Sequence, residues 1–147
     1  MPYSTPANLI TMAGHWGERA TVVLSEATRT EVIRHTDAQI NSVLRSVGVV
    51  VPVTDEEFLE YLHSISVWGS VAEALRLTFP EMANGDDPPD RYWRMKYTDA
   101  MNALRARKDI PPALLAGVGV LTPGYTKTTP LFTVGSQYPP GTTPWPT

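Results

Sequence analysis

Between residues 54 and 79 apolar positions recur at spacings of three and four: Phe58, Leu59, Leu62, Ile65, Trp68, Ala72, Leu75 and Phe79, with Val67, Val71 and Leu77 widening the stripe. That spacing is helical, and a stripe so wide predicts a long helix covered on more than one side. Thr54 and Glu57 form a candidate capping box, Asp55 and Glu56 put negative charge where the helix dipole favours it, and no proline intervenes before Pro80. A second long helix is predicted over residues 28–47, with Thr28 and Glu31 as a capping box and Gly48 just past its end. Val32, Ile33, Ile40, Val43, Leu44 and Val47 fall on one face, while Arg29, Arg34, Asp37, Gln39, Asn41 and Arg45 occupy the others. A third runs from near Pro89 to about Lys108, with Tyr92, Trp93, Tyr97, Ala100, Met101 and Leu104 as its packing face and Arg105, Arg107 and Lys108 suiting its C-terminal end.

Shorter elements fill the gaps. Thr5 as N-cap, Pro6 at the first helical position and Gly14 as a stop predict a short opening helix, with Leu9, Ile10 and Met12 or Ala13 facing inward. His15, Trp16 and Gly17 read as a turn, and Val22, Val23 and Leu24 either as a brief extended run or as a packed connection. Pro52 prevents the second and central helices from running together. Residues 80–90 concentrate Pro, Asn, Gly and Asp and read as a surface loop, and one further helical turn is expected after Pro111 and Pro112.

Composition changes the picture mainly beyond residue 115. The 14 prolines are about twice the ordinary share of roughly 5%, and six of them fall in the last 25 residues, which therefore cannot be helical at any length. The chain thus divides into a helical bundle domain, residues 1–115, and an extended Pro/Gly/Thr-rich arm, residues 116–147. The fold class is mainly α: three long helices, a short N-terminal helix and an arm with a short β-strand at residues 130–134. The arm is richer in large apolar residues than ordinary disordered chain, and Tyr125, Leu131, Phe132, Val134, Tyr138 and Trp145 are its candidate docking residues. Docking on a neighbouring subunit or partner is the reading these residues suggest, folding back on the chain's own bundle the alternative.

Candidate chemistry is sparse. His15, His35 and His63 stand singly, without a second ligand at helical spacing, and the acidic clusters at residues 55–57 and 86–90 are explained by helix capping and loop solvation. No nucleophile elbow, phosphate loop or dinucleotide fingerprint occurs, so no catalytic, cofactor-binding or metal-binding residue is predicted and the chain is not expected to be an enzyme. Trp68 with Gly69 reads as a packing solution in which glycine admits a neighbouring helix. The formal net charge of −3 argues against a chain whose main task is gripping nucleic acid, and the absence of cysteine excludes disulfides and zinc-thiolate sites. No stretch approaches the length of a membrane span, so a soluble protein is expected.

Tyr3-Ser4-Thr5 with Leu9, the run Asp37-Ala38-Gln39-Ile40-Asn41-Ser42-Val43-Leu44 ahead of the Pro52 linker, and the aliphatic central helix with Ala72 and Leu75 resemble the small head-tail connector proteins of tailed bacteriophages, over residues 1–110. Where such proteins often carry an aromatic residue before the linker proline, this chain has Val49 to Val51. The resemblance implies a helical protomer, a homo-oligomeric ring of about twelve copies, docking on a portal protein, and contact with the tail or a second neck protein. It also implies a place in the virion neck, after synthesis in the host cytoplasm, with double-stranded DNA passing through the lumen without specific binding. The family transfers no catalytic residues. Glu60 and Glu73 are candidates for acidic residues facing such a lumen or the solvent. The alternative function is a small helical binding or regulatory module whose Pro-rich arm engages a cellular partner.

Overall fold

The computed structural model describes residues 1–115, and the arm with its expected strand lies outside them. The chain divides into two units, Met1–Ile110 and Pro111–Thr147. In the first, five α-helices follow one another: α1 (Pro6–Ala13), α2 (His15–Val23), α3 (Glu26–Ser46), α4 (Glu56–Thr78) and α5 (Arg91–Arg105), with a 3-10 turn at Pro80–Met82 inside the predicted loop. The described part of the second unit holds the expected extra turn, Pro112–Leu115. The described residues are thus mainly helical and contain no strand.

Helix α4 packs against each of the other four helices. Leu62, Ile65 and Leu75 are fully enclosed, each contributing about 2 kcal/mol of burial, which outweighs the helix-propensity cost of about 1 kcal/mol at its internal Gly69. Its buried positions include Phe58, Val67, Ala72 and Ala74 as well as Ser66 and Ser70, so they run almost all the way round. Of the predicted apolar stripe, Leu59 and Trp68 are half-buried and Leu77 is exposed near the C-terminal end.

The sequence reading is corrected in four places. Residues 15–23 form a helix, not a turn and an extended run. Val22 and Val23 are exposed, and burial falls on Ala20 and Leu24, four residues apart, with half-buried Trp16 four before them; the apolar pair drew attention from this helical spacing. In α3, Arg29 and Asp37 are buried although both are charged. The Arg29 guanidinium donates through Nη1 to the Leu24 carbonyl at the end of α2, at 2.6 Å. In α5, Tyr92 is exposed, while Ala100, Met101 and Leu104 are buried and Trp93 packs against the core. The capping residues also move: Ser25 accepts from the Thr28 amide at 3.1 Å and Asp55 from the Phe58 amide at 2.9 Å, in place of the expected Thr28 and Thr54.

Two helices end in the same way. After α3, the Gly48 amide donates to Arg45 and the Val49 amide to Leu44, with Gly48 at a φ of 95°. After α5, the Arg107 amide donates to Leu104 and the Lys108 amide to Ala103, with Arg107 at a φ of 59°. Both are Schellman motifs, but only one places glycine at the left-handed position.

Gly69 is required for the approach of α3 and α5 to α4. A Cβ there would lie 2.5 Å from Cε2 of Tyr97 and 2.8 Å from Cγ2 of Thr36. The Tyr97 ring cannot easily yield, because its hydroxyl is held by Gln39 Oε1 at 2.8 Å. Gly69→Ala is therefore expected to cost about 1–2 kcal/mol net of its helix-propensity gain, measured by urea unfolding; a gain in stability would refute the close approach. Arg107→Gly should have the opposite sign, adding about 0.5–1 kcal/mol by relieving the left-handed backbone, and a loss in the same assay would contradict it.

Candidate interaction surfaces

Three places in the Met1–Ile110 unit concentrate polar groups or exposed apolar surface. The first is a hydrogen-bonded network beneath the N-terminal leader. Asp37 on α3 accepts the Tyr3 amide on Oδ2 at 2.8 Å and the Ser66 hydroxyl on Oδ1 at 2.5 Å. Because the Ser66 proton is committed to Asp37, Ser4 donates across the 2.8 Å contact between the two serine hydroxyls. The Tyr3 hydroxyl donates to Asn41 Oδ1 at 2.6 Å, and the exposed His63 donates from Nδ1 to the Tyr3 carbonyl at 2.6 Å, which fixes its tautomer.

Ser66, His63 and Asp37 are residue types of a hydrolytic triad but are not arranged as one. Ser66 gives its proton directly to Asp37, while His63 is turned to a backbone carbonyl. Burial holds the Asp37 carboxyl above the ordinary carboxylate range; the bonds from Ser66 and the Tyr3 amide, the N-terminal ammonium and His63 offset part of that rise. The network joins the leader, α3 and α4.

The second place is a polar cleft of about 280 Å³ between α3, α4 and α5. The Tyr97 hydroxyl donates to Gln39 Oε1 and the Gln39 amide in turn to His35 Nε2 at 3.1 Å. Burial, aided by the Asp37 charge and opposed by Arg105, pushes the Tyr97 phenol up to about 12. It therefore remains protonated near neutrality and serves as a donor. Glu73, on the wall of this cleft, is half-buried and paired with Arg76, and the buried Asp90 is paired with Arg94. Asp90 Oδ1 has no hydrogen-bond partner. The Glu73 and Asp90 carboxylates of the cleft are thus engaged by guanidinium groups of their own helices, and the Tyr97–Gln39 bond ties α5 to α3 across it.

The third place is an apolar groove of about 580 Å³ along the opposite flank of α5, lined by Trp16, Met82, Pro88, Tyr92, Met95 and Lys96. Tyr92 and Met95 are more than half exposed, at 56% and 57%. Trp16 is set edge-on against Phe79 of the core, with ring centroids 4.9 Å apart. Lys96 lies 4.7 Å from the Trp68 ring and 5.5 Å from the Tyr92 ring, so cation–π contacts fix one wall. Exposed Met82, Tyr92 and Met95 beside half-buried Trp16 make this trough a candidate interaction surface.

This groove is hidden in the sequence because the helical spacing puts Tyr92 with the packing face and His15, Trp16 and Gly17 read as a turn. The spacing of Tyr92, Met95, Lys96 and Asp99 along α5, displaced from the row Trp93, Ala100 and Leu104, was the signal that could have revealed it. The arm residues Tyr125, Leu131, Phe132, Val134, Tyr138 and Trp145 lie outside the described residues. Glu60 is exposed on α4. Among the described residues there is no grouping of side chains able to hold a metal ion and no helix long and apolar enough to cross a membrane. Comparison with protein-family profiles, curated proteins and solved structures finds no match.

Asp37 yields a signed expectation. With its folded pKa above the unfolded value, the folded state holds more proton between the two, so its contribution to stability is greatest below about pH 4 and declines as pH rises toward the folded value. The unfolding free energy of the wild type minus that of Asp37→Asn should therefore fall as pH rises through and above the carboxylate range, measured by urea titration at a series of pH values. A difference that stays flat or grows would contradict the assignment.

Proposed function

We propose that this protein is a head-tail connector, or adaptor, of a tailed bacteriophage: a structural protein that forms a ring on the portal, extends the DNA channel and offers the tail its attachment surface. The observation that carries the reading is the meeting of two stretches on which the family resemblance rests. Tyr3 and Asp37, 34 residues apart, are joined through the Tyr3 amide, Tyr3 reaches Asn41 through its hydroxyl, and Ser4 reaches Asp37 through Ser66. Patterns separated in sequence are accounted for if both fasten the leader to α3 and α4.

Other features support the same reading. The Asp37 carboxylate of the leader network joins the leader, α3 and α4 through hydrogen bonds, and the carboxylates of the polar cleft are paired within their own helices, as suits a scaffold. The formal charge of −3 favours passage of DNA over its retention, and exposed Glu60 is a candidate for the lumen. The portal, a tail or second neck protein and further copies of the chain are the partners this function requires, and the virion neck is its place.

Electron microscopy and native mass spectrometry of the purified protein with its cognate portal test the proposal. Rings of about twelve copies seated on the portal are expected. Absence of any ring or co-assembly across the accessible concentration range would overturn it, as would recovery of the protein on a small cellular partner in place of the portal.

A further inference from the structure

We propose that the groove along α5 receives residues 138–146, Tyr-Pro-Pro-Gly-Thr-Thr-Pro-Trp-Pro, from the arm of a neighbouring copy. This rests on the reading of the protein as a ring component and names the contact that would link its subunits. Proline-rich segments dock in troughs lined by aromatic side chains, because their polyproline conformation is already set and little entropy is lost on binding. Trp16 and Tyr92 supply aromatic walls, Met82 and Met95 adaptable apolar surface, and Pro88 further apolar lining. On the arm, Pro139-Pro140 and Pro144-Trp145-Pro146 supply the matching proline and aromatic faces.

Charge selects the arm over another part of the chain. All 15 acidic residues precede residue 110, and beyond it Lys127 is the only Lys, Arg, Asp or Glu. Acidic helical units repel one another, whereas the arm can approach a second copy without that penalty. The groove's charged rim, Asp87, Arg91, Lys96 and Asp99, is balanced in sign and can border an uncharged segment. Length also suffices. From Leu115 to Tyr138, at about 3.1 Å per residue in polyproline form, the chain spans roughly 70 Å, beyond the width of a unit of about 110 residues. An arm of one copy in the groove of the next is a heterologous contact, the kind that propagates around a closed ring.

The absence of native cysteine makes a direct test available. Full-length protein carrying Met95→Cys and Thr143→Cys is treated with a short bismaleimide and resolved on denaturing gels. Interchain products are expected, and the control pair Val50→Cys with Thr143→Cys, whose first member is exposed but outside the groove, should give at least about tenfold less. Adding Trp145→Ala to the groove pair should reduce the interchain product by about tenfold, the loss of one anchoring aromatic. Circular dichroism confirms that each variant is folded, and Tyr92→Cys replaces Met95→Cys if that protein does not fold. Intrachain product alone, no product, or equal product from the control would overturn trans docking. Portal co-assembly of the wild type is measured separately, so a ring without the arm-to-groove product, or that product without a portal-bound ring, tells which proposal has failed.

Discussion

The fold depends on enclosing one helix. An isolated α4 would expose Leu62, Ile65, Val67, Val71 and Leu75 on several sides at once, so no single partner helix could cover it. Helices α1, α2, α3 and α5 are each positioned by the side they cover. Such enclosure requires small residues where neighbours come closest, and Ser66, Gly69 and Ser70 provide them. Ser66 then places a hydroxyl in a dry interior, where Asp37 accepts its proton and the bond to Ser4 ties in the N-terminal leader, whereas the Ser70 hydroxyl has no partner. The packing of α4 and the leader network thus meet at Ser66.

The long helices were legible because burial imposes its period on many residues at once. The three expected long helices and the short first one are present, and Gly48 ends α3 as its sequence position suggested. Helix α2 was obscure because it buries few residues, and two exposed valines outweighed the Ala20–Leu24 spacing. Caps were placed one to three residues off because several adjacent Ser, Thr and Asp residues can each accept the same amide; backbone entry decides among them. Buried Asp37 could not be distinguished from a solvated aspartate by pattern, since its satisfaction comes from Tyr3 and Ser66, distant in sequence. The groove joins α2, the 80–90 segment and α5, so no local window contains it.

Helix α5 has a different role from α4. One row, Trp93, Ala100, Met101 and Leu104, faces the core. On one side of that row Arg94, Tyr97 and Thr98 line the polar cleft; on the other Tyr92, Met95 and Lys96 line the apolar groove. The polar side is held by bonds to its own bundle, Tyr97 to Gln39 across to α3 and Arg94 to Asp90 at the helix start. The apolar side is stiffened, since the Lys96 contacts restrain Tyr92 and Trp16 is braced on Phe79, but it is left uncovered within the described residues.

That asymmetry bears on where interaction specificity resides. A surface whose aromatic walls are already restrained loses little side-chain entropy when covered, so more of the burial free energy is retained as affinity. By contrast, the cleft on the other flank would have to break the Tyr97–Gln39 hydrogen bond or the Arg94–Asp90 ion pair before offering those groups to a partner, and breaking the latter strands the buried Asp90 carboxylate at a cost above what a surface contact returns. The two flanks of a single helix thus divide the work: one maintains the angle between α3, α4 and α5, and the other presents the apolar face held rigid by that angle. Gly69 matters to both, because the contact of Tyr97 with α4 sets the depth at which α5 sits, and with it the position of the Tyr92–Met95 ridge above the surface.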